Sequence, residues 1–213
     1  VLLWGDSHAG DLYNSLRLNN GFSKLDIEFL SYDYFYCFKE NSIYENLIRY
    51  IKNNFLSLSN CRDKIENFHL GYEILSRAEV ILVSSRWEKK FDVLKLKKFI
   101  DNYSNAKIII IGRKSRFFHI PTLFIKSKNN LNYLAFLNRD LIVDIINKEM
   151  KEKSKSIGLY FYDLDSLICD ERKCYVINEN NLLFTDEDHW SYQGSIYFGN
   201  KIKNDKLLEI ILN

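Results

Sequence analysis

Two short, mostly apolar runs constrain the fold most strongly: Ala78–Val83 and Lys107–Ile111. They are rich in β-branched residues and hardly interrupted by polar ones, which is typical of strands buried on both faces of a sheet. Such strands belong to parallel sheets, because the crossover helices of a parallel sheet cover its two faces. We therefore expect an α/β protein built on a central parallel sheet.

Segments with strand and helix character alternate along the whole chain. Three more strands are predicted at Val1–Trp4, Asp26–Tyr32 and Leu159–Tyr162. Apolar residues at helical spacing predict helices at Ala9–Leu18, Ile43–Leu58, Arg62–Ser76, Val93–Tyr103, Leu131–Lys153 and Tyr192–Leu212. Residues 112–128 and 163–184 are predicted to be loops, the second with a small hairpin. This order indicates a three-layer α/β/α sandwich around a mostly parallel, five-stranded sheet.

Composition gives no sign of a second domain. The 213 residues include one proline and no linker rich in glycine and serine, so residues 1–213 are predicted to form a single domain. A net charge of +2 does not indicate nucleic-acid binding, and no apolar run reaches the length of a membrane span. No signal peptide is apparent. Because Val1 falls directly inside a predicted strand, we expect the chain to be part of a longer protein.

Two polar motifs at opposite ends of the chain carry the candidate chemistry. Gly5-Asp6-Ser7-His8 follows the first strand directly, and Asp186–His189 precedes the last helix. A serine, a histidine and an aspartate are the parts of a nucleophilic acyl-transfer site. We expect Ser7 to be the nucleophile and His189 the base that takes its proton, because an imidazole titrates near neutral pH. Asp186 would orient the imidazole ring.

These residues also have plain structural interpretations. Ser7 is a suitable N-cap for the first helix, and His189 could be a polar surface residue. Asp188 and Glu187 compete with Asp186 for the orienting role.

Taken together, the motifs resemble the SGNH (GDSL-type) hydrolases, and most closely the SGNH domains fused to membrane acyltransferases of family 3. The similarity rests on Gly5-Asp6-Ser7-His8-Ala9, Leu12, Arg86-Trp87 and Asp186-x-x-His189-x-Ser191-x-x-Gly194. It implies a flavodoxin-like SGNH fold and a serine-dependent O-acyltransferase that works through an acyl-enzyme. It further supports Asp186 as the orienting residue, since the family has an Asp-x-x-His pattern.

The resemblance also implies what such a domain acts on and with. The expected acceptor is a bacterial surface glycan, the expected acyl group is acetyl, and the acyl donor is undefined. The expected partner is a membrane acyltransferase domain in the same chain, on the extracytoplasmic side of the membrane. No cofactor, metal ion or nucleic acid is expected. An acetylesterase of the same fold and a catalytically silent glycan-binding module are the alternatives.

The sequence departs from the wider family at the oxyanion hole. The family takes donors from the serine N–H, a glycine after the second strand and an asparagine after the third. Here the second strand ends at Leu30-Ser31-Tyr32 and the third at Ser84-Ser85-Arg86. The resemblance leaves the Ser7 N–H as a donor and suggests the Arg86 side chain as a replacement. A lost donor costs about 2.7–4 kcal/mol of transition-state stabilisation. The other candidate substrate-binding residues are Ser31, Asp6 and His8.

Two of those candidates have structural alternatives. Asp6 is expected to satisfy N–H groups of the turn, and His8 either contacts substrate or caps the first helix.

The four cysteines are Cys37, Cys61, Cys169 and Cys174. Cys169 and Cys174 lie close together in a polar loop that a short bridge could fix, and Cys37 would then pair with Cys61. This pairing is one of three connectivities. With the resemblance, it indicates an oxidising, extracytoplasmic compartment; four free thiols in a cytosolic protein are the alternative. A zinc site is not expected, because no histidine stands at ligand spacing from either pair.

Basic residues follow two of the predicted strands, where a parallel sheet places its ligand crevice. They are Arg86, Lys89, Lys90, Arg113, Lys114 and Arg116. We expect these charges to line the catalytic rim and to favour an anionic glycan. Ordinary solvated surface charge, partly cancelled by neighbouring acidic residues, is the alternative.

Overall fold

A computed structural model describes residues 1–31, 69–126 and 128–213. Its central sheet has five strands: β1 Leu2–Gly5, β2 Glu28–Ser31, β3 Val80–Ser84, β4 Lys107–Ile111 and β5 Tyr160–Tyr162. The strand order is β2-β1-β3-β4-β5, and every neighbouring pair is parallel. The predicted fold class is therefore confirmed. A separate antiparallel pair, β6 Ile177–Asn178 and β7 Asn181–Leu182, forms the small hairpin.

Eight α-helices lie within the described residues. They are α1 Ser7–Arg17, α2 His69–Arg77, α3 Val93–Asp101, α4 Ile120–Lys126, α5 Leu131–Leu137, α6 Ile142–Ser156, α7 Tyr192–Lys203 and α8 Leu207–Leu212. Among these described helices, none is both long and apolar enough to cross a bilayer.

Side chains alternate between the two faces of the sheet, as the strand geometry requires. On one face, Leu3 and Leu82 pack with buried residues of α1, α7 and α8. On the other face, Leu2 and Ile81 pack with buried residues of α3 and α6, together with Leu75 of α2. The sheet is thus covered on both sides, which explains why its strands are apolar without alternation.

Helices α1 and α7 pack against each other on one of these faces. Gly199 of α7 lies so close to α1 that a Cβ atom there would stand 2.5 Å from the carbonyl oxygen of Ser15. The absence of a side chain at Gly199 therefore sets how closely the two helices approach.

Two of the predicted elements differ from the structure. The predicted loop 112–128 contains α4, and the helix predicted at Leu131–Lys153 is interrupted between α5 and α6. The interruption arises because the chain forms an isolated bridge between Phe117 and Arg139, and the Asp140 N–H donates to the Arg116 carbonyl. These contacts remove residues from the helix without changing its apolar spacing.

A third predicted element also differs from the structure, because the helix predicted at Tyr192–Leu212 is divided into α7 and α8. The helix predicted at Ile43–Leu58, and the start of the one at Arg62–Ser76, lie outside the described residues.

A disulfide joins Cys169 to Cys174, as predicted, with their Cα atoms 4.0 Å apart. It closes the loop that follows β5. Cys37 and Cys61 lie outside the described residues, so their pairing stays a prediction.

Removing this bridge should lower stability modestly. In the chain-entropy picture, closing so short a loop stabilises the protein by about 2 kcal/mol. We expect the Cys169→Ser/Cys174→Ser variant to lose about that much in denaturant unfolding. Non-reducing peptide mapping of the wild type should give one linked peptide, lighter by two hydrogen atoms than the two thiol peptides. Two free thiols at these positions in oxidised protein would contradict the assignment.

Asp165 precedes this disulfide loop and lies in a partly buried position. Its Oδ1 accepts a hydrogen bond of 2.6 Å from the Ser115 N–H. Burial raises the pKa of the Asp165 carboxyl to about 7, against the weaker effect of that hydrogen bond, and the charges of Asp163 and Asp144 raise it further. The folded protein therefore holds a proton here that the unfolded chain releases near pH 4.

This shift predicts a stability that falls with rising pH. Between about pH 4 and pH 7 the folded state binds up to one more proton at Asp165 than the unfolded state, so stability falls by up to about 1.4 kcal/mol per pH unit. Above the folded pKa the contribution is lost. The Asp165→Asn variant keeps the shape and should remove this slope in unfolding curves measured at several pH values. An unchanged slope in the variant would assign the dependence to other groups.

Candidate active site

The candidate site lies at the carboxyl edge of the sheet, where β1 ends between β2 and β3. Gly5 is paired with Ser31 of β2 and with Ser84 of β3. The strand order reverses direction at β1, which is where open parallel sheets place their ligands. A Cβ atom on Gly5 would stand 1.7 Å from the Ser84 carbonyl oxygen, so only glycine fits between these strands at the start of the turn.

Asp6 fixes the turn between β1 and α1. It is the N-cap of α1, and its Oδ1 accepts from the His8 N–H at 2.8 Å. Its Oδ2 accepts from the Ser85 hydroxyl at 2.7 Å and from the Arg86 N–H at 2.8 Å. One carboxylate thus joins the ends of β1 and β3 and places Ser7 at the exposed N-terminus of α1.

Ser7, His189 and Asp186 form a continuous hydrogen-bonded chain. The Ser7 Oγ lies 2.8 Å from Nε2 of His189. On the other side of the ring, Nδ1 lies 2.8 Å from Oδ2 and 3.0 Å from Oδ1 of Asp186. Burial raises the pKa of Asp186, but backbone N–H groups of Asp188 and His189 and the His189 ring outweigh it, so the net pKa is lowered. This is the geometry of a nucleophile, a base and an orienting carboxylate.

A second carboxylate, that of Asp188, lies beneath the first in a buried position. Its Oδ2 accepts from Nη2 of Arg86 at 2.5 Å and lies 3.4 Å from Nε2 of His8. The His8 ring is also buried. Burial and the charge of Lys114 lower its pKa to about 4, so this imidazole is neutral at physiological pH.

Arg86 is held over the site from three directions. Its N–H donates to Asp6, its guanidinium donates to Asp188, and the next residue, Trp87, is buried with Nε1 donating to the Ile111 carbonyl at 2.7 Å. The Arg86 side chain is nevertheless 46% exposed. Because its backbone N–H is already used, only the guanidinium of Arg86 can donate to a bound group.

The loop that carries His189 is fixed by the residues that follow it. Ser191 caps α7 by accepting from the Gly194 N–H at 2.9 Å. A Cβ atom on Gly194 would stand 1.9 Å from the Leu183 carbonyl oxygen, so that glycine permits α7 to pack on the hairpin. The Trp190 N–H donates to Oδ2 of Asp11 at 3.0 Å, which ties the loop to α1.

Asp11 also pairs with a buried lysine. The ammonium of Lys114 donates to its Oδ2, and the Lys114 side chain is 1% exposed. Burial lowers the pKa of Lys114, while Asp11 opposes the shift. Asp11 was not predicted to belong to the site, and its pairing with Lys114 could not be predicted because the two residues are far apart in sequence.

The prediction that basic residues line the rim of the crevice is wrong for two of them. Lys114 is buried in its pair with Asp11, and Arg113 is buried with Nη1 donating to the Trp87 carbonyl at 2.9 Å. Arg116 is paired with Glu187, whose Oε2 lies 2.8 Å from its Nε. Arg113 and Lys114 follow β4 at the crevice edge, but their side chains point into the protein. Their buried partners could not be identified from the sequence.

The remaining candidate residues occupy separate positions. Ser31 is exposed at the end of β2, beside Gly5. The Ser7 N–H lies in the first turn of α1, where the helix supplies no carbonyl to accept it.

Ligand atoms of Asp186, Asp188 and His189 lie within 4.8 Å of one another. Each is already engaged, since the two carboxylates accept from His189, Arg86 and backbone N–H groups. These atoms therefore take part in the hydrogen bonds described above.

The protein is thus an α/β protein whose candidate site lies at the carboxyl edge of a parallel sheet. A family model described as "SGNH domain (fused to AT3 domains)" matches residues 1–204, so the chain belongs to that family. This places it among SGNH acyltransferases and esterases.

Solved structures share the fold. The periplasmic domain of a lipopolysaccharide acetyltransferase from Salmonella ser. Paratyphi A aligns with a TM-score of 0.66 at 17% identity, over 95% of this chain and 81% of that one. A lipolytic protein of the G-D-S-L family from Veillonella parvula DSM 2008 aligns with a TM-score of 0.50 at 13% identity, over 100% and 97%. No curated protein matches this chain in sequence.

Proposed function

We propose that the domain is a serine-dependent O-acyltransferase that transfers an acetyl group to a bacterial surface glycan through an acyl-enzyme. The observation that carries this proposal is the chain of contacts from Ser7 Oγ through His189 to Asp186, at 2.8 Å on each side of the ring. Family membership and the fold shared with a lipopolysaccharide acetyltransferase domain support the reaction class.

In the first half-reaction, the Ser7 Oγ attacks the carbonyl carbon of the donor ester while Nε2 of His189 takes the hydroxyl proton. Asp186 accepts from Nδ1 and stabilises the imidazolium that forms. The oxyanion is met by the Ser7 N–H, at a helix N-terminus, and by the guanidinium of Arg86. Collapse of the intermediate releases the leaving group, which takes the proton from His189.

In the second half-reaction, the acceptor hydroxyl gives its proton to Nε2 and attacks the acyl-serine. Ser7 leaves and recovers its proton from His189. Because Ser7 is exposed, water also reaches the acyl-enzyme, and this observation favours an acetylesterase as the second candidate. The two differ only in the acceptor.

The family supplies the proposed setting. Since the family model describes SGNH domains fused to AT3 domains, we propose a membrane acyltransferase domain in the same chain, which delivers the acyl group. The Cys169–Cys174 disulfide supports an extracytoplasmic location, where such bonds persist.

The test is to incubate the domain with an aryl acetate, with and without a bacterial glycan, and to measure the mass of the glycan. A transferase adds the mass of an acetyl group to the glycan, and Ser7→Ala does not. Aryl acetate cleavage with an unchanged glycan would favour the esterase. Glycan binding without any Ser7-dependent turnover would indicate a catalytically silent glycan-binding module instead of an enzyme.

A further inference from the structure

The Nδ1 atom of His189 faces two carboxylates. Oδ2 of Asp186 lies at 2.8 Å and Oδ1 of Asp188 lies at 3.3 Å. The two differ in surroundings, because the Asp186 side chain is 54% exposed whereas that of Asp188 is buried. The ring nitrogen that must carry a proton during catalysis therefore has a second acceptor within reach.

Asp188 is held as a charged group in spite of its burial. Burial raises its pKa, but the hydrogen bond from His8, the charge of His8 in the acidic range where it is protonated, and the charges of Arg86 and His189 outweigh that effect and lower the pKa well below its ordinary value. The Asp188 N–H also donates to Oδ1 of Asp186 at 3.0 Å, so the two carboxylates are fixed relative to each other.

We propose that Asp188 is a second positioning residue, which shares the Nδ1 proton of His189 with Asp186. Arg86 and His8 hold Asp188 for this role through its other oxygen, Oδ2, and leave Oδ1 directed at the ring. The inference rests on the proposed function, in which His189 is the base.

The groups around this pair come from several elements. Arg86 approaches from the end of β3, His8 and Asp6 from the start of α1, and Lys114 from the loop after β4. Burial and the charge of Lys114 lower the pKa of His8 to about 4, and Nε2 of His8 lies 3.4 Å from Oδ2 of Asp188.

The test is a double-mutant cycle with Asp186→Asn and Asp188→Asn. Orienting carboxylates in Ser-His-Asp sites contribute about 10⁴-fold, by holding the correct tautomer. If two carboxylates share this role, Asp186→Asn should lose about 10–100-fold in kcat for aryl acetate cleavage, and Asp188→Asn about 3–10-fold. The double variant should lose about 10⁴-fold, more than the product of the single losses.

A second measurement does not depend on turnover. Nitrogen NMR of histidine-labelled protein reports which ring nitrogen of His189 carries the proton. Each single variant should keep the proton on Nδ1, and the double variant should move it to Nε2. This readout separates failure of the present inference from failure of the proposed function, since it holds even in protein that turns over no ester.

Glu187→Gln is the matched control. Glu187 lies between the two aspartates in sequence but pairs with Arg116, so its removal should leave the rate and the tautomer unchanged. The proposal is overturned if Asp186→Asn alone moves the proton to Nε2 as fully as the double variant does. It is equally overturned if the double variant, folded by circular dichroism, keeps the proton on Nδ1, or if the double-mutant cycle shows no coupling between the two aspartates.

Discussion

The Ser7→Ala variant is expected to lose at least about 10⁴-fold in ester cleavage while keeping its fold. The hydroxyl at 2.8 Å from Nε2 of His189 is the group that forms the acyl-enzyme, and removal of a nucleophile or its base abolishes the covalent route. His189→Ala should lose a similar factor, and the two losses should not add, since the residues act as a unit. The measurement is kcat for an aryl acetate, with thermal unfolding to confirm the fold.

Ser76→Ala provides the control, because Ser76 is an exposed helical serine whose hydroxyl bonds only to a carbonyl of its own helix. Its rate should equal that of the wild type. Full activity in Ser7→Ala would remove the assignment of this chain as a serine-dependent enzyme, whatever the state of the acceptor.

Asp11→Ala is expected to destabilise the protein by about 3–5 kcal/mol, because it leaves the buried Lys114 ammonium without its partner. For a domain of this size, such a loss corresponds to a fall in Tm of about 10 °C. Activity should fall as well, since Asp11 also accepts from the N–H of Trp190, the residue after His189. Thermal unfolding and turnover of the same preparation measure both effects.

The matched control is Asp101→Ala, which breaks an exposed pair with Lys97 on α3 and should cost less than about 0.5 kcal/mol. The double variant Asp11→Leu/Lys114→Met removes both charges and should be more stable than Asp11→Ala, because no unpaired charge remains in the interior. Equal losses in Asp11→Ala and Asp101→Ala would contradict the buried-pair interpretation.

The sheet could be predicted from the sequence because each strand carries its own signal. After Lys107, the segment Lys107–Ile111 consists of four isoleucines, which are apolar and β-branched, and the structure has a strand over the same residues. The break between α5 and α6 could not be predicted, since it depends on the bridge between Phe117 and Arg139. Helical periodicity can be recognised within one segment of sequence, whereas the contact that interrupts this helix involves residues distant in sequence.

Some residues of the candidate site could be predicted from the sequence and others could not. Ser7, Asp186 and His189 lie in short motifs with a recognisable order, so their proximity could be predicted from the sequence. The buried partners could not, because the pairing of Asp11 with Lys114 joins α1 to the loop after β4. A lysine after a strand suggests a solvated charge, and only its surroundings in three dimensions show that it is buried.

The close contact at Gly199 influences the distance between Ser7 and His189, although Gly199 itself lies outside the candidate site. Ser7 is the first residue of α1, and His189 lies just before the start of α7. The distance between Ser7 and His189 therefore depends on how closely these two helices pack. The contact of Gly199 with the Ser15 backbone sets how closely α1 and α7 approach each other. A side chain at Gly199 is therefore expected to separate the nucleophile from its base and to lower activity, without altering any group that touches the ester.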